Sequence, residues 1–272
     1  MNTFQAVFLG VIQGVTEFLP ISSTAHLRLV PAFFGWEDPG AAFTAVTQFG
    51  TLAAVLIFFR EDLWRVALAW LRSLRDSSMR SDPDARMGWY ILLGTLPIGI
   101  CGLIFKDVIE GAARGLPVVA TTLILLGLVL LYAERSGRRD RGLESLTLRD
   151  GLLIGAAQAM ALIPGVSRSG STLTAGLLLG LERAAAARYS FLLSVPAVVL
   201  AGLFELRHIG DAGGGPGPVP TAIATLMAFV SGYASIAFLL RFLANHSTMV
   251  FIVYRVALGL LVFALLSAGK LS

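Results

Sequence analysis

The chain has 272 residues, of which 56% are hydrophobic and only 14% charged, against about 25% charged residues in a typical soluble domain. That balance excludes an ordinary soluble enzyme and implies a polytopic membrane protein folded as one membrane-embedded domain over residues 1–272. Cys101 is the only cysteine, so an intrachain disulfide and a thiolate metal cluster are both excluded. The net charge of +4 comes mostly from arginines in loops between apolar runs, where they act as topology signals rather than as a nucleic-acid footprint.

The start, Met1-Asn-Thr-Phe, lacks the basic region of a cleavable signal, so the first apolar stretch is expected to be retained. Segment 4–34 is apolar but broken midway by Pro20 and a hydroxyl cluster, and 151–181 is broken in the same way after Pro164. Irregular backbone at membrane depth is tolerated only where protein or water surrounds it, so both segments are expected to be re-entrant helix–loop–helix units. Between and after them, apolar runs at 43–59, 89–109, 117–134, 186–206, 221–243 and 250–268 are long enough to cross a bilayer.

Loop charge orients these elements. Arg60, Arg65, Arg72, Arg75, Arg80 and Arg86 fill the 60–86 loop, and Arg135, Arg138, Arg139, Arg141 and Arg149 fill 135–149, which places both loops in the cytoplasm. The nearly neutral 107–116 and the Gly/Pro-rich Asp211–Pro220 then lie outside. Following the chain, 4–34 opens outwards and 151–181 inwards. Each half is one re-entrant unit followed by three spans, and because three is odd the second half must be inverted. The expected fold is all-α, with six transmembrane helices and two re-entrant segments arranged as inverted-topology repeats over about 1–134 and 150–272. Gly10 and Gln13 ahead of Pro20 recur as Gly155 and Gln158 ahead of Pro164. Such repeats bring their broken helices tip to tip near the midplane.

The two breaks hold the chemistry. Gln13 and Glu17, spaced i,i+4, share a helix face. Ser22, Ser23 and Thr24 can cap the next helix, and His26 falls in its first turn. In the second break, Ser167, Arg168, Ser169, Gly170 and Thr172 combine a flexible loop, a helix start and a guanidinium whose fork matches two phosphate oxygens. Plain N-capping, a hydrogen-bonded structural carboxylate and a buried Arg168–Glu17 pair are the structural alternatives. A carboxylate, an imidazole, a guanidinium and many hydroxyls at lipid depth otherwise mark a site for a phosphorylated anion. Glu134 and Glu205 read as interfacial residues at span ends, His208 and His246 as loop residues, and Phe58-Phe59 as lipid-facing or packing.

Gln13-x-x-x-Glu17, Pro-x-Ser22-Ser23-Thr24-x-His26 and Pro164-Gly-x-Ser167-Arg168-Ser169-x-x-Thr172 resemble the signature of the bacterial undecaprenyl-pyrophosphate phosphatase (bacitracin-resistance) family, and length and span count fit it too. The resemblance implies a hydrolase in the bacterial plasma membrane, its site opening to the extracytoplasmic side. It implies cleavage of the C55 polyprenyl pyrophosphate to the monophosphate carrier used in peptidoglycan synthesis, with help from a divalent cation, Mg²⁺ or Ca²⁺. Glu17, His26, Ser23 and Arg168 are then the expected catalytic residues. Gln13, Ser22, Thr24, Ser167, Ser169, Gly170 and Thr172 join Arg168 in binding substrate, and Glu17 is the metal ligand. Many relatives carry Glu at the position of Gln13, which here cannot add charge to a cation. The nucleophile stays open among Ser23 activated by Glu17 or His26, His26 itself, and a metal-bound water. The expected partners are the lipid substrate and membrane lipids, not nucleic acid, and a homodimer is compatible with this reading. A transporter or flippase for the prenyl phosphate is the rival function.

Overall fold

The structure is a computed structural model that describes residues 1–105, 115–206 and 216–271. Most of the segment 107–116, the first half of 211–220 and His208 lie outside the described residues, as does the Glu205 side chain. Among the described residues every regular element is helical. They are α1 (Thr3–Phe18), α2 (Ser23–Phe34), α3 (Gly40–Phe58), α4 (Arg60–Arg75), α5 (Pro83–Ile104), α6 (Leu116–Ser136), α7 (Leu148–Ala159), α8 (Arg168–Leu178), α9 (Arg183–Leu206), α10 (Pro218–Asn245) and α11 (Met249–Ser267).

Helices α5, α6, α9, α10 and α11 are each long and apolar enough to span a bilayer, and α3 with α4 makes a sixth candidate that bends by 78°. The break after α3 follows from composition. Phe59 is buried on Phe191, and the next residues, Arg60, Glu61 and Asp62, are too polar to continue into hydrocarbon. The expected 60–86 loop is therefore largely the amphipathic α4. Val66, Ala69 and Ser73 face inwards along it, while Trp64, Leu71 and Leu74 are exposed.

Both expected re-entrant units appear as helix pairs folded back on themselves. Phe4 and Phe8 near the start of α1 meet Trp36 just after α2, so this hairpin's mouth is at one end of the bundle. At the mouth of α7–α8, Arg141 bonds both Asp150 in the first turn of α7 and the Leu179 carbonyl beyond α8. Small residues let the arms approach their neighbours closely, as is usual where lipid offers no hydrophobic drive. Gly10 and Gly14 of α1 lie against Ala224 and Ser231 of α10, and Gly151 and Gly155 of α7 lie against Tyr90 and Gly94 of α5. Thus α1 runs parallel to α10 and α7 runs parallel to α5.

The arginine-rich segments collect at one end. Asp62 and Arg65 of α4, Asp84 and Arg86 of α5, Glu144 of the 137–147 connection and Arg188 of α9 line one shared cavity there. Glu134 belongs to the same end, and its interfacial assignment needs correction. It is buried, accepts hydrogen bonds from Arg139 (3.0 Å) and Arg183 (2.9 Å) through Oε1, and takes the Thr248 hydroxyl (2.7 Å) on Oε2. A lone carboxylate would have been left at the surface; two guanidinium partners make its burial tolerable.

Candidate active site at the paired helix breaks

Each break reverses the chain through a serine with positive φ. Ser22 (φ 75°) caps α2 by accepting from the Ala25 N–H, and Ser167 (φ 71°) caps α8 by accepting from the Gly170 N–H. A non-glycine residue held there costs about 1–3 kcal/mol and persists only where its surroundings over-determine it. The breaks touch directly: the Gly165 N–H donates to Thr24 Oγ1 (3.3 Å), and Ser169 Oγ donates to the Leu19 carbonyl (3.1 Å). The N-termini of α2 and α8 therefore converge, which concentrates two positive dipole ends in one place.

Into that place come Glu17 from the last turn of α1 and Arg168 from the first residue of α8, 151 positions apart in the chain. Arg168 Nη2 donates to Glu17 Oε1 at 2.6 Å, and Nη1 donates to the Ser194 carbonyl at 3.2 Å. The other carboxylate oxygen, Oε2, accepts from Ser23 Oγ (2.6 Å) and from Gln13 Nε2 (3.0 Å). Glu17 and Gln13 are buried, whereas Ser23, Thr24 and Arg168 are half-buried and form the accessible rim. The arrangement offers a hydroxyl already bonded to its potential base, beside a cation.

His26 is buried but does not bond Ser23. Its Nδ1 lies 2.7 Å from the Ser22 carbonyl, an acceptor only, so Nδ1 carries the proton. Nε2 lies 2.6 Å from the Tyr254 hydroxyl, and the two rings stack at 5.6 Å. Other residues expected to contact substrate turn inwards. Ser167 Oγ and the Gly170 N–H serve each other, Ser169 ties α8 to the end of α1, and Thr172 bonds the Arg168 carbonyl and Ser190 of α9. These side chains hold the break in shape. Ser22 likewise spends its hydroxyl on its own cap and on Thr24 (3.1 Å).

Two participants escaped the reading of the sequence. Tyr254 and Arg255 lie within an apolar run that reads as a plain span, yet both reach the breaks. Arg255 is completely buried, donating to the Pro20 carbonyl of the first break and the Gly165 and Val166 carbonyls of the second. An arginine well inside a hydrophobic span was the available signal.

A divalent cation fits the donor chemistry here in a limited way. Among the described residues no cluster of three His, Cys, Asp or Glu side chains forms a metal cage. Glu17 is the one carboxylate at the breaks, and the buried Gln13 Oε1 beside it has no hydrogen-bond partner. Two hard oxygen donors suit Mg²⁺ or Ca²⁺ only if ligand oxygens complete the shell, as with metal ions carried on phosphates.

An apolar groove of about 840 Å³ lies between α3 and α10, lined by Phe43, Val46, Phe49, Leu226 and Phe229. It ends one turn short of Gly232, which packs on Phe18, the neighbour of Glu17.

Fold and site together define a polytopic helical membrane protein with an acid–hydroxyl–guanidinium centre built from two broken helices. The family described as Bacitracin resistance protein BacA matches residues 6–261, and the chain belongs to that family. It is 56% identical to a protein of Frankia casuarinae named undecaprenyl-diphosphatase 2, the match covering 100% of this chain and 97% of the relative. It is 55% identical to the undecaprenyl-diphosphatase of Nocardioides sp., over 100% of this chain and 99% of that one. The corresponding protein of Myxococcus xanthus is 54% identical, over 100% and 92%.

Proposed function

We propose that this chain is an integral membrane phosphatase that hydrolyses undecaprenyl pyrophosphate to undecaprenyl phosphate and inorganic phosphate, recycling the lipid carrier for peptidoglycan synthesis. The observation that carries this reading is the contact of Ser23 and Arg168 with one buried carboxylate, Glu17. Phosphoryl transfer demands positioning and charge stabilisation more than elaborate covalent machinery. Ser23 Oγ attacks the terminal phosphorus as Glu17 Oε2 takes its proton. The P–O bond to the bridging oxygen breaks, and the prenyl monophosphate departs with both bonding electrons. Arg168 turns its fork partly towards the phosphoryl oxygens, and the converging ends of α2 and α8 favour the same charge. Water then attacks the Ser23-bound phosphorus, losing a proton to His26 Nε2 by way of the Tyr254 hydroxyl, while Glu17 returns its proton to Ser23 Oγ as the P–Oγ bond breaks and inorganic phosphate leaves. A bound divalent cation, held by Glu17, Gln13 Oε1 and phosphate oxygens, would neutralise charge on the pyrophosphate. The prenyl tail lies along the apolar groove between α3 and α10.

The setting follows from the bundle's two ends. The arginine-rich end lies in the cytoplasm by the positive-inside rule, so the α1–α2 hairpin opens to the outer face of the bacterial plasma membrane. The halves 1–134 and 150–272 are read as inverted repeats. Supporting this, the Gly–Gln–capping-serine spacing of 10, 13 and 22 recurs at 155, 158 and 167. Each first arm also runs parallel to a long helix of the other half.

Paired broken helices are also a transporter device. Phosphate release in detergent, where no two compartments exist, separates the readings. Purified protein should release inorganic phosphate from C55 pyrophosphate and lose that activity with chelator. Transport without hydrolysis would reject the phosphatase; undiminished hydrolysis in chelator would reject the cation.

A further inference from the structure

We propose that Arg255 is a positioning residue of this centre: it fastens both helix breaks to α6 and holds an uncompensated positive charge beneath the pyrophosphate. This deepens the phosphatase reading and rests on it.

Arg255 is 0% exposed, and among the described residues its hydrogen bonds all go to backbone carbonyls and none to a carboxylate. Nη1 donates to Pro20 (3.2 Å), Nη2 to Val166 (2.9 Å) and Gly165 (3.2 Å), and longer contacts from Nη2 and Nε reach Thr122 and Leu123 of α6. One planar fork thereby spans both reversals and a transmembrane helix, which a point-charged ammonium cannot do. Gly170 makes room for it, because a Cβ there would lie 2.7 Å from Arg255 Nη1.

Isolated cations at membrane depth are costly, and pairing with a carboxylate is the usual remedy. Glu17 is already engaged by Arg168, so the pair is neutral and the Arg255 charge stands over. Carbonyl dipoles solvate it without cancelling it. The centre is thus biased towards an anion. The clamped Pro20 and Val166 carbonyls also set the spacing between Ser23, three residues after one, and Arg168, two residues after the other.

Charge and fork can be separated with Arg255→Lys and Arg255→Met. Two measurements serve: kcat and KM for C55 pyrophosphate, and the rise in melting temperature caused by inorganic pyrophosphate. Arg255→Lys should keep the pyrophosphate-induced rise and a KM within about threefold of wild type, while kcat falls about 10- to 100-fold. Arg255→Met should lose the rise as well and show a higher KM. Wild-type kcat in folded Arg255→Lys, or a wild-type melting response in Arg255→Met, overturns the proposal. So does failure of both variants to insert and purify, which would make Arg255 a folding residue only. If wild-type protein releases no phosphate, the phosphatase reading fails, and the melting response still decides whether Arg255 serves an anion site.

Discussion

Replacing Glu17 by Gln keeps the shape of the side chain and removes its charge, leaving Arg168 without its anionic partner. The pair is contacted at 2.6 Å, with the Glu17 side chain 5% and the Arg168 side chain 15% exposed. At an effective dielectric constant of about 20, unit charges about 4 Å apart attract by roughly 4 kcal/mol. Part of that is recovered because Arg168 reaches the rim and keeps the Ser194 carbonyl. The chemical loss is larger, since an amide cannot take the Ser23 proton; removing such a base costs about 10²- to 10⁴-fold. The assay is phosphate release by purified Glu17→Gln, normalised to monodisperse protein, with thermal melting in parallel. Combining Glu17→Gln with Arg168→Gln should restore much of the melting temperature, because position 168 no longer holds a cation deprived of its carboxylate, and should restore none of the activity. Turnover by the single variant within about threefold of wild type would refute Glu17 as the base.

Tyr254→Phe retains the ring stacked on His26 and deletes its hydroxyl; kcat should fall about tenfold with little change in KM, read from the same phosphate assay. Glu134→Ala leaves Arg139 and Arg183 without their shared acceptor, and a loss of about 2–4 kcal/mol is expected, measured as a lowered melting temperature with normal activity in the folded fraction. Gly155→Leu drives a side chain into the Gly94 backbone and should separate α7 from α5, reducing both folded yield and activity. Leucine at Gly99, where a Cβ would meet nothing within 4 Å, is the matched control and should be silent.

The features legible in the sequence were those that composition alone determines. Apolar runs gave the spans, prolines and hydroxyl clusters gave the breaks, and arginine runs gave the common end where α4, α5 and the 137–147 connection gather. The meeting of Glu17 with Arg168 was also foreseeable, because two ionisable islands in lipid have few other ways to be satisfied. What stayed hidden depends on three-dimensional neighbours. Tyr254 and Arg255 interrupt a greasy run too briefly to disturb its hydropathy. Glu134 looks interfacial until Arg183 and Thr248 fold over it. The 60–86 segment read as a loop because its arginines dominate, although Leu63, Val66, Ala69 and Ser73 recur at helical spacing. Hydroxyls expected to face a ligand, at Ser167, Ser169 and Thr172, instead satisfy backbone and neighbouring side chains, as most buried hydroxyls do.

The long separation in sequence between Glu17 and Arg168 bears on biogenesis. A ribosome emits α1 first, α8 much later and α11, with its Arg255 fork, later still. A chain translated short of α8 therefore carries a carboxylate and a serine but no counter-cation, and is inert towards lipid phosphates. Competence arrives only when α11 enters the bilayer, so a stop codon anywhere between α8 and Arg255 should behave as a complete null.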